Sequence, residues 1–168
     1  VVTNLAVPGT TTFEGLPTGT VNPYGQPTVD PLHNITAALA LGPDAIVVSY
    51  PSSGSILDGS TTQQQVIDNM VTIGAAALAE GVEVWFSGPQ PTDDDTAESI
   101  GVCLDLNDAI ALQFGERALD FWSVLAGADS RPIPGLLLTD GIHPNAEGHR
   151  LLYELVLATD LPATALAP

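Results

Sequence analysis

The chain has 168 residues, of which 45% are apolar, and this predicts one globular domain with its own core rather than a disordered segment. Twenty Asp and Glu residues stand against three Arg and no Lys, giving a formal net charge of −17. A surface this acidic repels phosphate backbones and anionic lipid, which argues against nucleic acid or a membrane surface as the partner.

The same charge balance favours an extracellular or cell-surface setting, where counterions screen the repulsion between carboxylates. An acidic surface without functional meaning explains it at least as well. The chain does not begin with Met and opens directly in a β-like run, so we attach no meaning to the absence of a signal peptide. No apolar stretch is long enough to cross a bilayer.

The first predicted elements are a strand, a long polar loop and a helix. Val1–Val7 has the composition of a strand and ends at a Pro-Gly pair. A loop rich in Gly, Pro and Thr follows, until Asp30 and Pro31 predict the N-cap and first position of a helix over Leu32–Leu41.

Two further strands flank a longer helix. Ala45–Tyr50 is nearly all apolar, as expected of a strand covered on both faces, and Pro51–Ser60 is predicted to be a loop. The next strand is predicted over Val82–Phe86. Between them, a helix from Thr61 to about Gly81 carries one apolar stripe at helical spacing: Val66, Met70, Ile73 and Ala77.

The last third of the chain continues the alternation. The acidic loop Thr92–Thr96 precedes a helix that ends at Phe114, while Ala118–Trp122 fits a short strand or a helix equally. A loop over Asp140–Asn145 leads into a closing helix, Ala146–Ala158. Alternating strands and helices predict a parallel sheet with helices on its faces. We expect one domain over residues 1–160 and a loose tail over residues 161–168.

The sharpest chemical signal is an Asp placed three residues before a His on a tight loop. Asp140-Gly141-Ile142-His143 lies just before the closing helix, within the run D-G-I-H-P-N-A-E-G-H. This spacing lets the carboxylate reach back to the imidazole, fix its tautomer and support the imidazolium formed when the ring takes a proton from a hydroxyl.

This run is similar to the final sequence block of the SGNH (GDSL-type) hydrolases, where Asp and His complete a Ser-His-Asp triad. Asn4-Leu5-Ala6-Val7-Pro8-Gly9 resembles the second block of that family. Tyr50-Pro51-Ser52-Ser53-Gly54 stands where a bacterial subgroup carries a Pro-Ser-Asn-Asp version of the third block. The resemblance covers nearly the whole chain, and its strongest motif is the last block.

The resemblance implies a flavodoxin-like, three-layer α/β/α fold with a parallel sheet, and a serine ester hydrolase without a metal or cofactor. It implies His143 as general base and then acid, Asp140 as its orienting partner, and Gly9 and Ser53 as oxyanion-hole donors. Ser53 replaces the Asn of the subgroup, and a hydroxyl reaches less far than a carboxamide. Losing one such donor typically costs roughly 100- to 1000-fold in rate. Thr92 replaces an Arg that is common in the subgroup.

The family's Gly-Asp-Ser block, which carries the nucleophile, has no counterpart in the sequence. The resemblance places that strand between Val1–Val7 and Ala45–Tyr50, in the middle of the sheet. Without it two central strand edges are unpaired. We therefore expect a preceding segment or a partner chain to complete the sheet.

Other residues receive plainer interpretations. Five serines, Ser49, Ser52, Ser53, Ser55 and Ser60, lie near a strand end where α/β active sites form, but none sits in a G-x-S-x-G elbow. The only cysteine, Cys103, is predicted to be a buried, inert thiol, His33 to be a surface or packing residue, and His149 to be structural. The run Asp93-Asp94-Asp95 fits a solvated, helix-capping loop better than a cation site.

Three functions therefore stand side by side. The first is an SGNH-type esterase acting on acetylated sugars, lipids or simple esters. The second is a non-catalytic SGNH-like module that binds or builds an extracellular assembly, favoured by Ser53 and by the missing block. A flavodoxin-like nucleotide binder is a weaker third, because the chain lacks a Gly-rich phosphate loop.

Overall fold

The computed structural model describes residues 1–22, 27–51 and 53–161. Three strands and six α-helices alternate over these residues, and a 3₁₀ turn over Gly115–Arg117 precedes the last strand. In chain order they are α1 Ile35–Leu39, β1 Ala45–Ser49, α2 Ser53–Leu57, α3 Gln63–Ala79, β2 Glu83–Ser87, α4 Ala97–Phe114, β3 Ala118–Leu119, α5 Phe121–Leu125 and α6 Ala146–Leu157.

The three strands form one parallel sheet in the order β1-β2-β3. Val47 pairs with Trp85 and Val48 with Phe86, so neighbouring side chains alternate together between the two faces. One face carries Val48 and Phe86, and the other carries Val47 and Trp85. The predicted α/β class with a parallel sheet is confirmed.

The main core lies on the face that carries Val48 and Phe86. The predicted apolar stripe of α3 is buried there, and α4 adds Leu106 and Ile110. A Cβ on Gly74 of α3 would lie 3.2 Å from the Phe86 ring, so the small residue lets the helix approach the sheet closely. Both long helices begin with a reciprocal capping box, at Thr62 and at Thr96.

The opposite face is held by aromatic and ionic contacts. The guanidinium of Arg117 lies 4.4 Å from the centre of the Trp85 ring and also pairs with the carboxylate of Glu83. A smaller apolar cluster joins α5 and α6 through Leu125 and Leu152. No helix among the described residues is long and apolar enough to span a membrane.

Two predictions near the start of the chain are wrong. Val1–Val7 forms no strand, and Val1 and Val2 are fully exposed. The physical reason is pairing: no described strand lies beside this segment, and an isolated extended segment has no partner for its backbone groups. The helix begins at Asn34 rather than at Asp30, because Asn34 accepts the Ala37 N–H, whereas Asp30 bonds the Leu32 N–H and the His33 ring.

Two loop predictions also change. The predicted loop Pro51–Ser60 contains a short helix, α2, over Ser53–Leu57. Ala118–Trp122, which fitted a strand or a helix, contains both: β3 ends at Leu119, and α5 follows after the Asp120 carboxylate caps it through the Ser123 N–H. Most of the expected tail over residues 161–168 lies outside the described residues.

Candidate active site

The loop between residues 140 and 145 builds an Asp-His pair. One carboxylate oxygen of Asp140, Oδ2, lies 2.9 Å from Nδ1 of His143. The other, Oδ1, accepts the backbone N–H groups of Ile142 at 2.9 Å and His143 at 3.0 Å. Both oxygens are therefore engaged, and the imidazole is oriented so that its Nε2, which has no hydrogen-bond partner among the described residues, can take another one.

These bonds lower the pKa of Asp140 to about 2. The largest causes are the two backbone N–H donors, first from His143 and then from Ile142, followed by the side-chain hydrogen bond with His143. All three favour the ionised carboxylate. Because the folded-state pKa lies below the unfolded value of about 3.9, this stabilisation is present above that value and is lost as pH falls through about 2.

Removing the imidazole should raise the pKa of Asp140 only in part. In a His143→Ala variant the side-chain bond is lost, but the two backbone N–H donors remain and are the larger causes. We expect the midpoint to lie above about 2 and still below the ordinary Asp value. Carboxyl ¹³C NMR titration of both proteins checks this. If Asp140 titrates at the ordinary Asp value in the variant, the two backbone N–H groups do not hold its pKa down.

The loop is closed by backbone bonds and by the start of α6. The N–H of Leu138 donates to the His143 carbonyl at 2.7 Å. Asn145 caps α6 through the Glu147 and Gly148 N–H groups, and its own amide donates back to the Gly135 carbonyl at 2.7 Å. The sequence D-x-x-H-P-N therefore encodes a ring-orienting loop and a helix start in one unit.

Gly141 is required at the turn of this loop. Its φ is +69°, and a Cβ added there would lie 2.9 Å from Cβ and Oδ2 of Asp93. We expect Gly141→Ala to lower the free energy of unfolding by about 1–2 kcal/mol from the left-handed conformation alone, with a further loss from the Asp93 contact. Gly59→Ala is the matched control, because Gly59 has a φ of +77° and open space around its Cβ position. Equal losses in thermal or urea unfolding would contradict the Asp93 contact.

His143 faces an open cleft of about 900 Å³ at the carboxyl ends of β1 and β2. That location is typical of ligand sites in open α/β sheets. The cleft is bordered by apolar side chains and by polar groups of four loops and helices. Its lining residues include Ser49, Ser53, Leu57, Gln90, Asp94, Asp95, Cys103, Phe121, Ile142, His143, His149, Leu152, Tyr153 and Val156.

The two expected oxyanion-hole residues are placed differently. Ser53, at the start of α2, lines the cleft, and its hydroxyl lies close enough to the Cys103 thiol to favour the thiolate. Burial and the nearby charge of Asp95 raise the pKa of that thiol to about 11 against the opposing effect of the Ser53 hydroxyl, so Cys103 is a buried thiol as predicted. Gly9 lies in a turn after the exposed first segment and is not among the lining residues.

No described serine is paired with the candidate base. The only side-chain hydrogen bond of His143 among the described residues is to Asp140. Ser49 lines the cleft but accepts a hydrogen bond from Ser87 Oγ at 2.7 Å. Ser52 lies outside the described residues. Within the part of the chain that the structure describes, no group of three His, Cys, Asp or Glu side chains is arranged to hold a metal ion.

Two features were missed at the level of sequence. The sequence favours a structural role for His149, but this residue of α6 is exposed and lines the cleft. Asp30 and His33 form a second Asp-x-x-His pair, with Oδ2 and Nδ1 2.8 Å apart, which lies outside the cleft lining. The identical spacing was the available signal, and it shows that the motif alone does not mark a site.

No family model and no curated protein matches the chain. Solved structures do. A protein assigned to the G-D-S-L lipolytic family from Desulfitobacterium hafniense aligns with a TM-score of 0.58 and 20% identity, over 72% of this chain and 67% of its own. TesA aligns at 0.55 and 27% identity, over 76% and 68%. A protein assigned as an acylhydrolase from Bacteroides fragilis aligns at 0.58 and 18% identity, over 75% and 65%.

The chain thus spans about two thirds of the length of these structures. The likeness confirms at the level of fold the resemblance drawn from the sequence blocks. The chain therefore shares the α/β fold of these structures.

Proposed function

We propose that this chain, which has the fold of the GDSL-type hydrolases, forms most of a serine ester hydrolase. The observation that carries the proposal is the imidazole of His143, aligned by Asp140 and facing a cleft at the carboxyl ends of the strands. That arrangement is what general-base catalysis of acyl transfer needs from a histidine.

The reaction would proceed by acyl transfer in two halves. A serine hydroxyl attacks the ester carbonyl while Nε2 of His143 takes its proton, and the imidazolium then gives that proton to the departing alkoxide. Water attacks the acyl-serine in the same way and releases the acid. Asp140 stays ionised throughout, since its pKa of about 2 keeps it a carboxylate near neutral pH.

The nucleophile would come from a strand outside these 168 residues. β1 is hydrogen-bonded on one side, to β2, and no described strand occupies its other edge. Val47, on the same face as the buried Trp85, is 44% exposed although it lies in the middle of β1. A strand paired with this edge, with the helix that follows it, would cover Val47 and bring a hydroxyl to the cleft.

The oxyanion donors would be completed by the same strand. The Ser53 hydroxyl already lines the cleft and supplies one donor once it turns from Cys103. The Gly9 N–H would reach the site when Val1–Val7 pairs with the outer edge of the added strand. This explains why Val1–Val7 has the composition of a strand and yet is exposed.

The cleft indicates which esters would be preferred. Its apolar lining residues, which include Leu57, Phe121 and Val156, suit a hydrocarbon group, and its acidic lining residues are Asp94 and Asp95. No Lys or Arg is among the lining residues. Anionic esters would therefore be repelled, and neutral or cationic esters favoured, in keeping with an enzyme secreted or displayed at a cell surface.

An ester series tests the proposal on the protein made from its complete gene. Neutral p-nitrophenyl acetate and cationic acetylthiocholine should be hydrolysed, and anionic p-nitrophenyl hemisuccinate should be the poorest substrate. Raising the salt concentration should reduce the difference in hydrolysis rate between the anionic ester and the other two, because salt screens the electrostatic repulsion. If none of the three esters is hydrolysed, the esterase proposal is contradicted. Equal rates for all three would contradict only the proposed charge preference.

The second candidate is a non-catalytic SGNH-like module. Ser53 at the position of the subgroup's Asn favours it, because a hydroxyl reaches less far than a carboxamide and is a weaker oxyanion donor. In that case the cleft would retain its shape and bind an ester-bearing ligand without turnover. The ester series separates the two candidates directly.

A further inference from the structure

The segment that follows β2 is held rigidly beside the candidate site. Pro89 and Pro91 are fully buried, and their rings fix the backbone on either side of Gln90. A Cβ on Gly88 would lie 1.6 Å from Oδ1 of Asn107, so α4 packs directly against this backbone. Gln90 therefore extends from an anchored backbone, so that only its side-chain rotamers have to be fixed when its amide is ordered.

This segment reaches the Asp140–His143 loop through two hydrogen bonds. The side-chain amide of Gln90, through Nε2, donates to the carbonyl of Ile142 at 2.8 Å. The backbone N–H of Asp93 donates to the carbonyl of Gly141 at 2.8 Å. The two acceptors are consecutive carbonyls, and both belong to the turn between the candidate base and its carboxylate.

Each of these carbonyls shares a planar peptide unit with one N–H that holds Asp140. The Ile142 carbonyl lies in the unit of the His143 N–H, and the Gly141 carbonyl lies in the unit of the Ile142 N–H. Both N–H groups donate to Oδ1 of Asp140. In a trans peptide unit the C=O and the N–H point in opposite directions. Gln90 and Asp93 therefore bind the carbonyl side of these two units, while Asp140 accepts the N–H groups on the other side. A bond to the carbonyl also polarises the N–H and strengthens its donation.

The loop needs such support because its own side chains are exposed. The side chains of Asp140 and His143 are 44% and 66% exposed, and their mutual bond spans only three residues. That local bond sets the ring relative to its carboxylate. The position of the pair relative to the sheet, and so to any hydroxyl delivered at the strand ends, depends on contacts from outside the loop.

We propose that Gln90 is a positioning residue for the Asp140–His143 pair, acting by fixing the peptide unit whose N–H holds the carboxylate. The catalytic consequence rests on the proposed function, whereas the structural consequence does not. Without the Gln90 bond, this peptide unit turns more freely, and the His143 N–H holds the Asp140 carboxylate less firmly. Because the carboxylate then fixes the ring less well, the imidazole populates both tautomers.

Three variants test this in the full-length protein. Gln90→Ala removes the donor, and Gln90→Glu keeps the shape but places a carboxylate oxygen against the Ile142 carbonyl. Gln64→Ala is the matched control, because Gln64 makes a 2.8 Å side-chain bond to Asp68 on the outside of α3. Thermal unfolding establishes that each variant is folded, and Gln90→Glu provides the answer where Gln90→Ala does not fold.

The first readout is independent of activity. Ring ¹⁵N chemical shifts of His143 should show the proton mainly on Nδ1 in the unaltered protein and in the Gln64 variant, and a mixture of tautomers in both Gln90 variants. Unchanged shifts in the Gln90 variants would overturn the proposal, even for a protein that hydrolyses no ester.

The second readout separates positioning from substrate contact. We expect kcat to fall roughly 10- to 100-fold in the Gln90 variants, with KM within twofold of the unaltered value, because a displaced base affects the chemical step more than binding. A raised KM with unchanged kcat would instead make Gln90 a substrate contact and overturn the positioning role. Absence of activity in the unaltered protein would count against the proposed function, while the ¹⁵N shifts still decide the role of Gln90.

Discussion

Replacing His143 with Ala is expected to lower kcat for p-nitrophenyl acetate by roughly 10⁴- to 10⁶-fold in the full-length protein. The reason is that the members of a nucleophile–base–carboxylate unit act together, so removing the base leaves only binding and oxyanion stabilisation. Steady-state kinetics on purified protein measures the loss. Unfolding of the variant should be little changed, since the side chain is 66% exposed.

The chain supplies an unusually close control for this variant. His33 is paired with Asp30 at the same sequence spacing and almost the same distance, 2.8 Å against 2.9 Å, but lies outside the cleft. His33→Ala should therefore leave kcat within twofold. If the two substitutions change kcat equally, whether both lower it strongly or neither does, the assignment of the base to His143 is contradicted.

Replacing Asp140 with Asn is expected to lower kcat by roughly 10³- to 10⁴-fold. The amide oxygen can still accept the Ile142 and His143 N–H groups. The amide nitrogen, however, then faces Nδ1 of the imidazole and donates to it, which favours the tautomer with its proton on Nε2. That tautomer cannot accept a proton from a hydroxyl at Nε2.

Two comparisons make the Asp140 result specific. Asp30→Asn changes the matching pair outside the cleft and should leave kcat within twofold. The unfolding midpoint of Asp140→Asn should fall less than that of Gly141→Ala, because the loop keeps its backbone conformation. A large loss of stability with a small loss of kcat would identify Asp140 as a structural residue of the loop.

Much of the fold could be predicted from periodicity because the long elements bury one regular face. The stripe from Val66 to Ala77 and the apolar run of β1 each matched their predicted element. The helix before β1 was placed too early, because Asp30 has the composition of an N-cap but binds His33 instead. Local competition between two such side chains is not visible in a single sequence.

Val1–Val7 shows a different limit of sequence analysis. Its composition predicts a strand, but strand formation requires a neighbour, and the structure places none beside it among the described residues. The strand propensity of this segment is realised only when a neighbouring strand is present. Its strand-like composition combined with its exposure therefore indicates that the described sheet lacks a strand, not that the segment is a natural loop.

The candidate site was predictable in its chemistry but less so in its support. The D-x-x-H spacing predicted the pair of Asp140 and His143, which the structure places 2.9 Å apart. The hydrogen bond from Gln90 to the Ile142 carbonyl could not be predicted from the sequence, because the two loops that it joins are about fifty residues apart and only the fold brings them together. The roles of Gly9 and Ser53 stay predictions.

In the proposed enzyme, a hydroxyl from outside these 168 residues meets His143 at the edge of β1 that no described strand occupies. Labelling the full-length protein with a fluorophosphonate, followed by peptide mass mapping, tests this arrangement most directly, because the reagent bonds covalently to a serine activated by a neighbouring base. We expect one adduct, on a serine outside these 168 residues, which disappears in His143→Ala and persists in His33→Ala. An adduct on any serine of these 168 residues, including Ser49, Ser52, Ser53, Ser55 and Ser60, or no adduct at all, would contradict this proposal.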